Sequence, residues 1–187
     1  MVSDLVFAVM RIRFLPLLLM LAFCSGCVVT CLHSPFDISR AEADKALLGG
    51  WRISDAEGGG SLNFRSIDTK EFQISITKEG QLTTEMFTGY SGNIGGRQYL
   101  WVTLSNSNEP KADDVHILVR YELHQNELQL WLLDPTKVKT AVAEGRLKGR
   151  GVGGTGEIEL SGSAAELSKA IGVEEFWKKE RPLTRQN

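Results

Sequence analysis

The sequence predicts a mainly β protein: an antiparallel meander of seven to eight strands forming a barrel or half-barrel, with three short helices. Three observations carry this expectation. Apolar and polar residues alternate with period two in run after run, as in Phe72, Ile74 and Ile76 against Gln73, Ser75 and Thr77, the pattern of antiparallel strands with one face in water. Short turn signals separate these runs, and helix-start signals are few. Rolling such a meander into a barrel removes the exposed edges that make open sheets aggregate.

The elements follow in chain order. Ser39-Arg40-Ala41-Glu42 has the spacing of a capping box and predicts a short helix to Leu48, ended by Gly49. Trp51 and Ile53 share one face of a first strand, Leu62 and Phe64 a face of the second, and Phe72 to Ile76 mark the third. Lys78-Glu79-Gly80-Gln81 reads as a tight hairpin into a fourth strand at residues 82–87. Residues 58–60 and 90–97 read as turns by composition. Residues 99–104 are apolar on both faces, so that strand is central or covered on both sides. The polar run 105–114, with Pro110, is a surface loop.

Val115, Ile117, Val119, Tyr121 and Leu123 form the clearest strand, with His116, Arg120, Glu122 and His124 opposite. Gln125-Asn126 turns it into Leu128, Leu130 and Leu132. Asp134-Pro135 opens a second helix, with the Asp as cap and Pro in the first helical position; Val138, Ala141 and Val142 line it and Gly145 closes it. After the glycine-rich residues 149–156, residues 157–160 are the last predicted strand. Ser163 to Glu166 is a second capping box, opening a helix to Ile171. Glu174 and Glu175 stand four residues before Lys178 and Lys179 and predict a final helical segment, its apolar face Val173, Phe176 and Trp177.

The N-terminal region speaks of location. Arg11 and Arg13 precede the apolar run 14–23, which is followed by Cys24-Ser25-Gly26-Cys27. The run is shorter than the roughly 20 apolar residues a spanning helix needs, and basic-apolar-small is the order of a cleaved secretion signal. Residues 1–9 carry Asp4 and no Lys or Arg, so Met10 makes the better start. Ser25-Gly26-Cys27 resembles the lipobox of bacterial lipoproteins. The resemblance implies that Cys27 becomes the acylated N-terminus and the link to membrane lipid, and that Val28, rather than Asp, sorts the chain to the outer membrane facing the periplasm. Several acyl chains on one residue give stable anchoring. The expected organisation is a signal at 1–26, a lipidated tether at 27–38, one β-rich domain at 39–178 and a C-terminal tail at 179–187.

A short helix followed by Gly49-Gly50-Trp51 resembles the Gly-x-Trp opening of lipocalins, which implies a lipocalin-like barrel. Residues 121–149, with Leu132-Leu133-Asp134-Pro135, are similar to small uncharacterised bacterial lipoproteins, and that likeness brings no known activity.

Composition and motifs exclude more than they assign. With 21 basic and 23 acidic side chains and a net charge of −2, and no basic cluster interleaved with aromatics, nucleic-acid binding is not expected. Of three cysteines, only Cys31 lies outside the signal and lipid site, so no disulfide framework is available. Cys31 and His33 lack the partners of a metal or nucleophilic site and read as part of the tether. The glycine pattern at 151–156 leads into a strand rather than a helix, so it is a loop and not a dinucleotide cradle. His116 and His124 share a strand eight residues apart, roughly 26 Å, too far to ligate one metal. Asp113-Asp114 lacks the spaced ligands of a calcium loop, and no Gly-x-Ser-x-Gly or His-Glu-x-x-His occurs.

Catalytic residues, cofactors and metals are therefore not expected. The aromatic contact candidates are Trp51, Tyr90, Trp101 and Trp131. Trp51 suits the narrow end of a barrel; Trp131 is either covered by a helix or exposed. The leading expectation is a lipid-anchored, noncatalytic module for a small apolar ligand. The alternative is a structural or assembly lipoprotein contacting another envelope protein through Trp131, Tyr90, Trp177 or the 105–114 loop. A third is a hydrolase with an unrecognised carboxylate or histidine site.

Overall fold

The computed structural model describes residues 28–53, 59–79, 84–104, 115–152 and 157–186. In chain order its strands are β1 (Val29–Cys31), β2 (Gly49–Ile53), β3 (Gly60–Ser66), β4 (Glu71–Lys78), β5 (Thr84–Ile94), β6 (Arg97–Thr103), β7 (His116–His124), β8 (Glu127–Leu133), β9 (Gly149–Val152), β10 (Glu157–Leu160), β11 (Trp177–Lys179) and β12 (Leu183–Arg185). Two helices, α1 (Pro135–Ala143) and α2 (Ala164–Ile171), and short 3-10 turns complete it.

The meander closes. Strands β2 to β8 pair antiparallel in sequence, and β12 bridges β8 to β2, so eight strands form a ring. Period two decides what goes inside. In β4, Phe72, Ile74 and Ile76 are buried while Gln73, Ser75 and Thr77 stay half-exposed. The inner cluster gathers Leu47, Trp51, Leu62, Phe64, Phe72, Leu100, Val119, Tyr121, Leu128 and Leu183 with their neighbours. Phe64 and Phe72 meet edge to face at 5.9 Å, a favoured aromatic geometry.

A second core lies outside the ring. Tyr99 and Trp101 on β6, Leu118 on β7, and Trp131 and Leu133 on β8 point outward and are buried, together with Val138, Ile158, Leu160, Leu167, Phe176 and Trp177. The covering layer is α1, α2 and a small sheet in which β1 runs parallel to β10, which pairs with β9. This explains why residues 99–104 are apolar on both faces: one face lines the barrel and the other carries the layer.

Several expectations need correction. The capping box at Ser39 forms no α-helix. Asp37 and Asp44 cap two 3-10 turns instead, at Ile38–Arg40 and Lys45–Leu47, and the Ser39 hydroxyl donates to Asp37 at 2.6 Å. The 27–38 tether is wrong for Val29–Cys31, a buried strand held by β10 and, at Cys31, by β7. Residues 90–97 are mostly strand: β5 runs to Ile94, and only Gly95 and Gly96, at φ 59° and 82°, make the turn. The earlier glycine there serves close approach, since a methyl on Gly92 would meet the Phe36 ring at 2.6 Å.

Residues 157–160 are not the last strand. The expected final helix is a 3-10 turn at Glu174–Phe176 followed by β11, because Glu174 pairs with Arg120 and Glu175 with Arg146 rather than with the lysines four residues on. The expected C-terminal tail contains β12, the strand that shuts the ring. The 105–114 loop, half of the 78–81 hairpin tip (from Gly80), residues 153–156 and Cys27 lie outside the described residues.

Candidate binding site

The two ends of the barrel differ in construction. At the end where β2 begins, the turn Lys45–Leu47 acts as a plug. Asp44 caps it by accepting from the Ala46 amide at 3.0 Å, and Leu47 is driven fully into the inner cluster. Trp51 Nε1 donates to the Leu47 carbonyl at 2.8 Å. The Arg185 guanidinium lies 4.5 Å over the Trp51 ring and donates to the carbonyls of Ala46 and Leu48. Tyr121 Oη donates to Asp44 at 2.9 Å, and burial first, then the Asp44 charge, pushes its phenol well above the ordinary value. Ser91 Oγ donates to the Glu42 carbonyl and accepts from the Asp44 amide.

The opposite end is where β2, β4 and β6 finish and β3, β5 and β7 start. Alternation brings Ile53, Phe87, Leu104 and Leu132 to the inner wall there, each only half-buried and packed against the inner cluster. Ile76, Val102 and Ile117 lie just below them, buried. Among the described residues, Glu85 and Lys78 bring charge to the β4–β5 part of this wall. Glu85 pairs in register with Ile76, and Lys78 is two residues beyond Ile76 on the same face of β4. Burial raises the Glu85 carboxyl pKa, with Lys78 pulling it back.

The ring is also fastened unevenly. β12 meets β2 at Thr184↔Arg52 and Arg185↔Trp51, and β11 continues along β8 alone, at Trp177↔Leu133 to Lys179↔Trp131. Glu180 sits between the two short strands. Its amide donates to the Leu130 carbonyl at 2.9 Å, and its own carbonyl accepts from Gln129 Nε2. Lys179 reaches outward over Trp131, so Lys178 and Glu180 alternate to the barrel side. Glu180 Oε1 is buried and accepts no hydrogen bond; Lys178 Nζ stands 3.6 Å away. Burial raises this carboxyl pKa too, again opposed by Lys178.

Of the aromatic candidates, Trp51 belongs to the plug. Trp101 is on the outer wall, buried and stacked on His116 at 4.9 Å. Trp131 is covered, not exposed: it lies under Arg120, 4.4 Å from its centroid. Trp177 is buried and donates to the Ile171 carbonyl. These two therefore offer no surface contact, because the outer layer needs them as core. Tyr90 remains half-buried on the outer wall, its phenol pKa raised by burial and by Glu71.

Arg120 is the buried cation of that layer, bonded to both oxygens of Glu174 and to Glu122. His116 shares a hydrogen bond with Thr103 on the outer wall, and His124, exposed at the far end of β7, faces Glu122. Cys31 is a buried free thiol, its pKa pushed up to about 12 by desolvation. Among the described residues no group of three metal-binding side chains comes together, and no helix is long and apolar enough to cross a membrane. A groove of about 310 Å³ lies on the outer layer, floored by Leu147, Ala170, Val173 and Phe176 and rimmed by Arg146 and Lys169.

Glu85, Glu180, Asp44 and Arg185 escaped sequence reasoning. Only Glu85 left a signal: it shares strand parity with Phe87, so a carboxylate falls at an inward position. Compared with protein-family models, curated proteins and solved structures, the chain finds no match.

Proposed function

We propose that this protein is a noncatalytic binding module, held in the bacterial envelope by acyl chains on Cys27, whose lipocalin-like barrel takes a small apolar ligand at the end away from the plug. One observation carries the reading. The half-buried inward aliphatic and aromatic side chains of Ile53, Phe87, Leu104 and Leu132 gather at that end, while the other end is filled and capped. An apolar wall with a few polar groups is what small-molecule sites are made of. The ligand portion that enters is short, because Trp51, Phe72 and Leu128, all with no exposed surface, fill the lower barrel.

Two measurements test it. Native mass spectrometry of protein extracted from membranes is expected to show a copurified small apolar molecule, and Phe87→Asp is expected to lose it while the fold persists. An empty barrel that also fails to bind octanol overturns the ligand reading. For the anchor, the mature N-terminus is expected to be a diacylated or triacylated Cys27. An unmodified N-terminus, with unchanged membrane fractionation of Cys27→Ala, overturns that part alone.

A second reading, contact with another envelope protein, now rests on the outer groove and its exposed Val173. Crosslinking from that groove in intact membranes, set against ligand capture by the barrel, separates the two.

A further inference from the structure

Three features coincide at one point in the barrel wall. The seam that closes the ring is fastened near the plug, where β12 bonds β2, and it parts beyond Arg52, where the chain follows β8 alone as β11. Glu180 stands in this fork. Its Oε1 is shut away from water with no hydrogen-bond donor, although both backbone groups of the residue are bonded to β8. On either side, Leu132 of β8 and Ile53 of β2 present half-buried inward side chains.

A buried acceptor without a donor is the expensive way to place a carboxylate, and buried polar groups are ordinarily satisfied. Lys178 does not satisfy it. Its Nζ is 3.6 Å off, beyond good hydrogen-bond length, and its side chain is 47% exposed against 12% for Glu180. The cation is about half in water, whereas the anion is largely covered by the wall. We propose that Glu180 anchors the ammonium group of an amphiphilic amine, whose hydrocarbon lies along the inner face beside Leu132 and Ile53.

This proposal rests on the barrel-binding reading and names the chemistry of its ligand. An ammonium supplies the missing N–H donor for the orphan oxygen and a closer countercharge than Lys178, which stands 3.6 Å away; such charge-assisted bonds are shorter and stronger than neutral ones. An alcohol supplies a donor alone, and a carboxylate ligand is repelled. Burial raises the Glu180 carboxyl pKa against the pull of the Lys178 ammonium. Among the described residues, Lys178 is the charged neighbour of Glu180 on the barrel side, and Lys78 and Glu85 belong to β4 and β5 on the opposite side of the ring.

The test is isothermal titration of the full chain with octylamine and octanol, chosen short because the lower barrel is filled. Octylamine is expected to bind at least tenfold tighter than octanol. Glu180→Gln keeps the backbone bonds of residue 180 and is expected to abolish that preference while leaving octanol affinity within twofold. Glu180→Asp, which withdraws the charge by one methylene, is expected to fall between. Glu144→Gln, exposed on the outer layer beside Arg146, is expected to leave the octylamine affinity within twofold. Equal affinity of octylamine and octanol for the unaltered protein overturns the anchor but leaves the binding reading standing. A preference that survives Glu180→Gln, or that disappears in Glu144→Gln instead, also overturns it. Failure of both probes to bind overturns the binding reading and this proposal together.

Discussion

The plugged end of the barrel and the end opposite it are built from the same alternating strands, yet they treat inward polar groups in opposite ways. Near the plug, Tyr121 meets Asp44, Ser91 is bonded from both sides, and Arg185 spreads over Trp51 while donating to two carbonyls. At the other end Glu180 Oε1 has no donor among the described residues, and Glu85, across from Ile76, has its carboxyl pKa raised by burial against the pull of Lys78. Satisfied buried networks rigidify a structure, and partly satisfied ones are sites of strain or function. The first end serves stability; on the proposed reading the second serves binding.

The difference can be broken from the plug side first. Trp51→Ala removes the largest fully buried side chain together with its bond to Leu47 and its stack with Arg185. It is expected to cost about 3–5 kcal/mol, read as a lower urea midpoint. Arg185→Ala forfeits the stack and the donors to Ala46 and Leu48 at the point where the ring closes; about 2–3 kcal/mol is expected by denaturation. Arg185→Lys is expected to recover only part of it, because a point charge cannot hold two carbonyls and cover a ring at once. Tyr121→Phe deletes one hydrogen bond to a charged group and is expected to cost about 1.5 kcal/mol.

The smallest effect is expected at the other end, and of opposite sign. The Glu180 carboxyl pKa is raised in the folded state, so the folded protein holds its proton to higher pH than the unfolded chain does. Its contribution is therefore neutral below the unfolded value and turns unfavourable as pH rises through the folded value. Glu180→Gln is expected to raise the melting temperature at pH 7 and to leave it unchanged near pH 3.5. A loss of stability at pH 7 shows that the carboxylate is structurally satisfied and that the two ends are alike.

What could be read from the sequence follows the range of each signal. The β4 alternation, the β7–β8 hairpin, the Asp134-Pro135 start of α1 and the capping box of α2 are written within about ten residues, and the structure has them all. β1, β11 and β12 are three residues each, too short to carry a period; they are strands only because distant edges await them. The plug has the same character. Asp44 and Tyr121 are 77 residues apart, and Arg185 is 139 residues from Ala46, so neither partnership leaves a local trace. The capping box at Ser39 misled because Asp37 accepts from both the amide and the hydroxyl of Ser39, engaging the residue that was to cap. Trp131 was legible only as a choice between cover and exposure, and the outer layer made the choice.

Because β12 is the strand that joins β8 to β2, a growing polypeptide has every other wall of the ring before it has the means to shut it. Until Arg185 has been synthesised and has found Trp51, β2 and β8 remain raw edges, available to chaperones and to wrong neighbours alike. Such distant pairing makes folding slow. On the export route proposed above the delay is useful, since a nascent chain that cannot close stays threadable until it reaches the far side of the membrane.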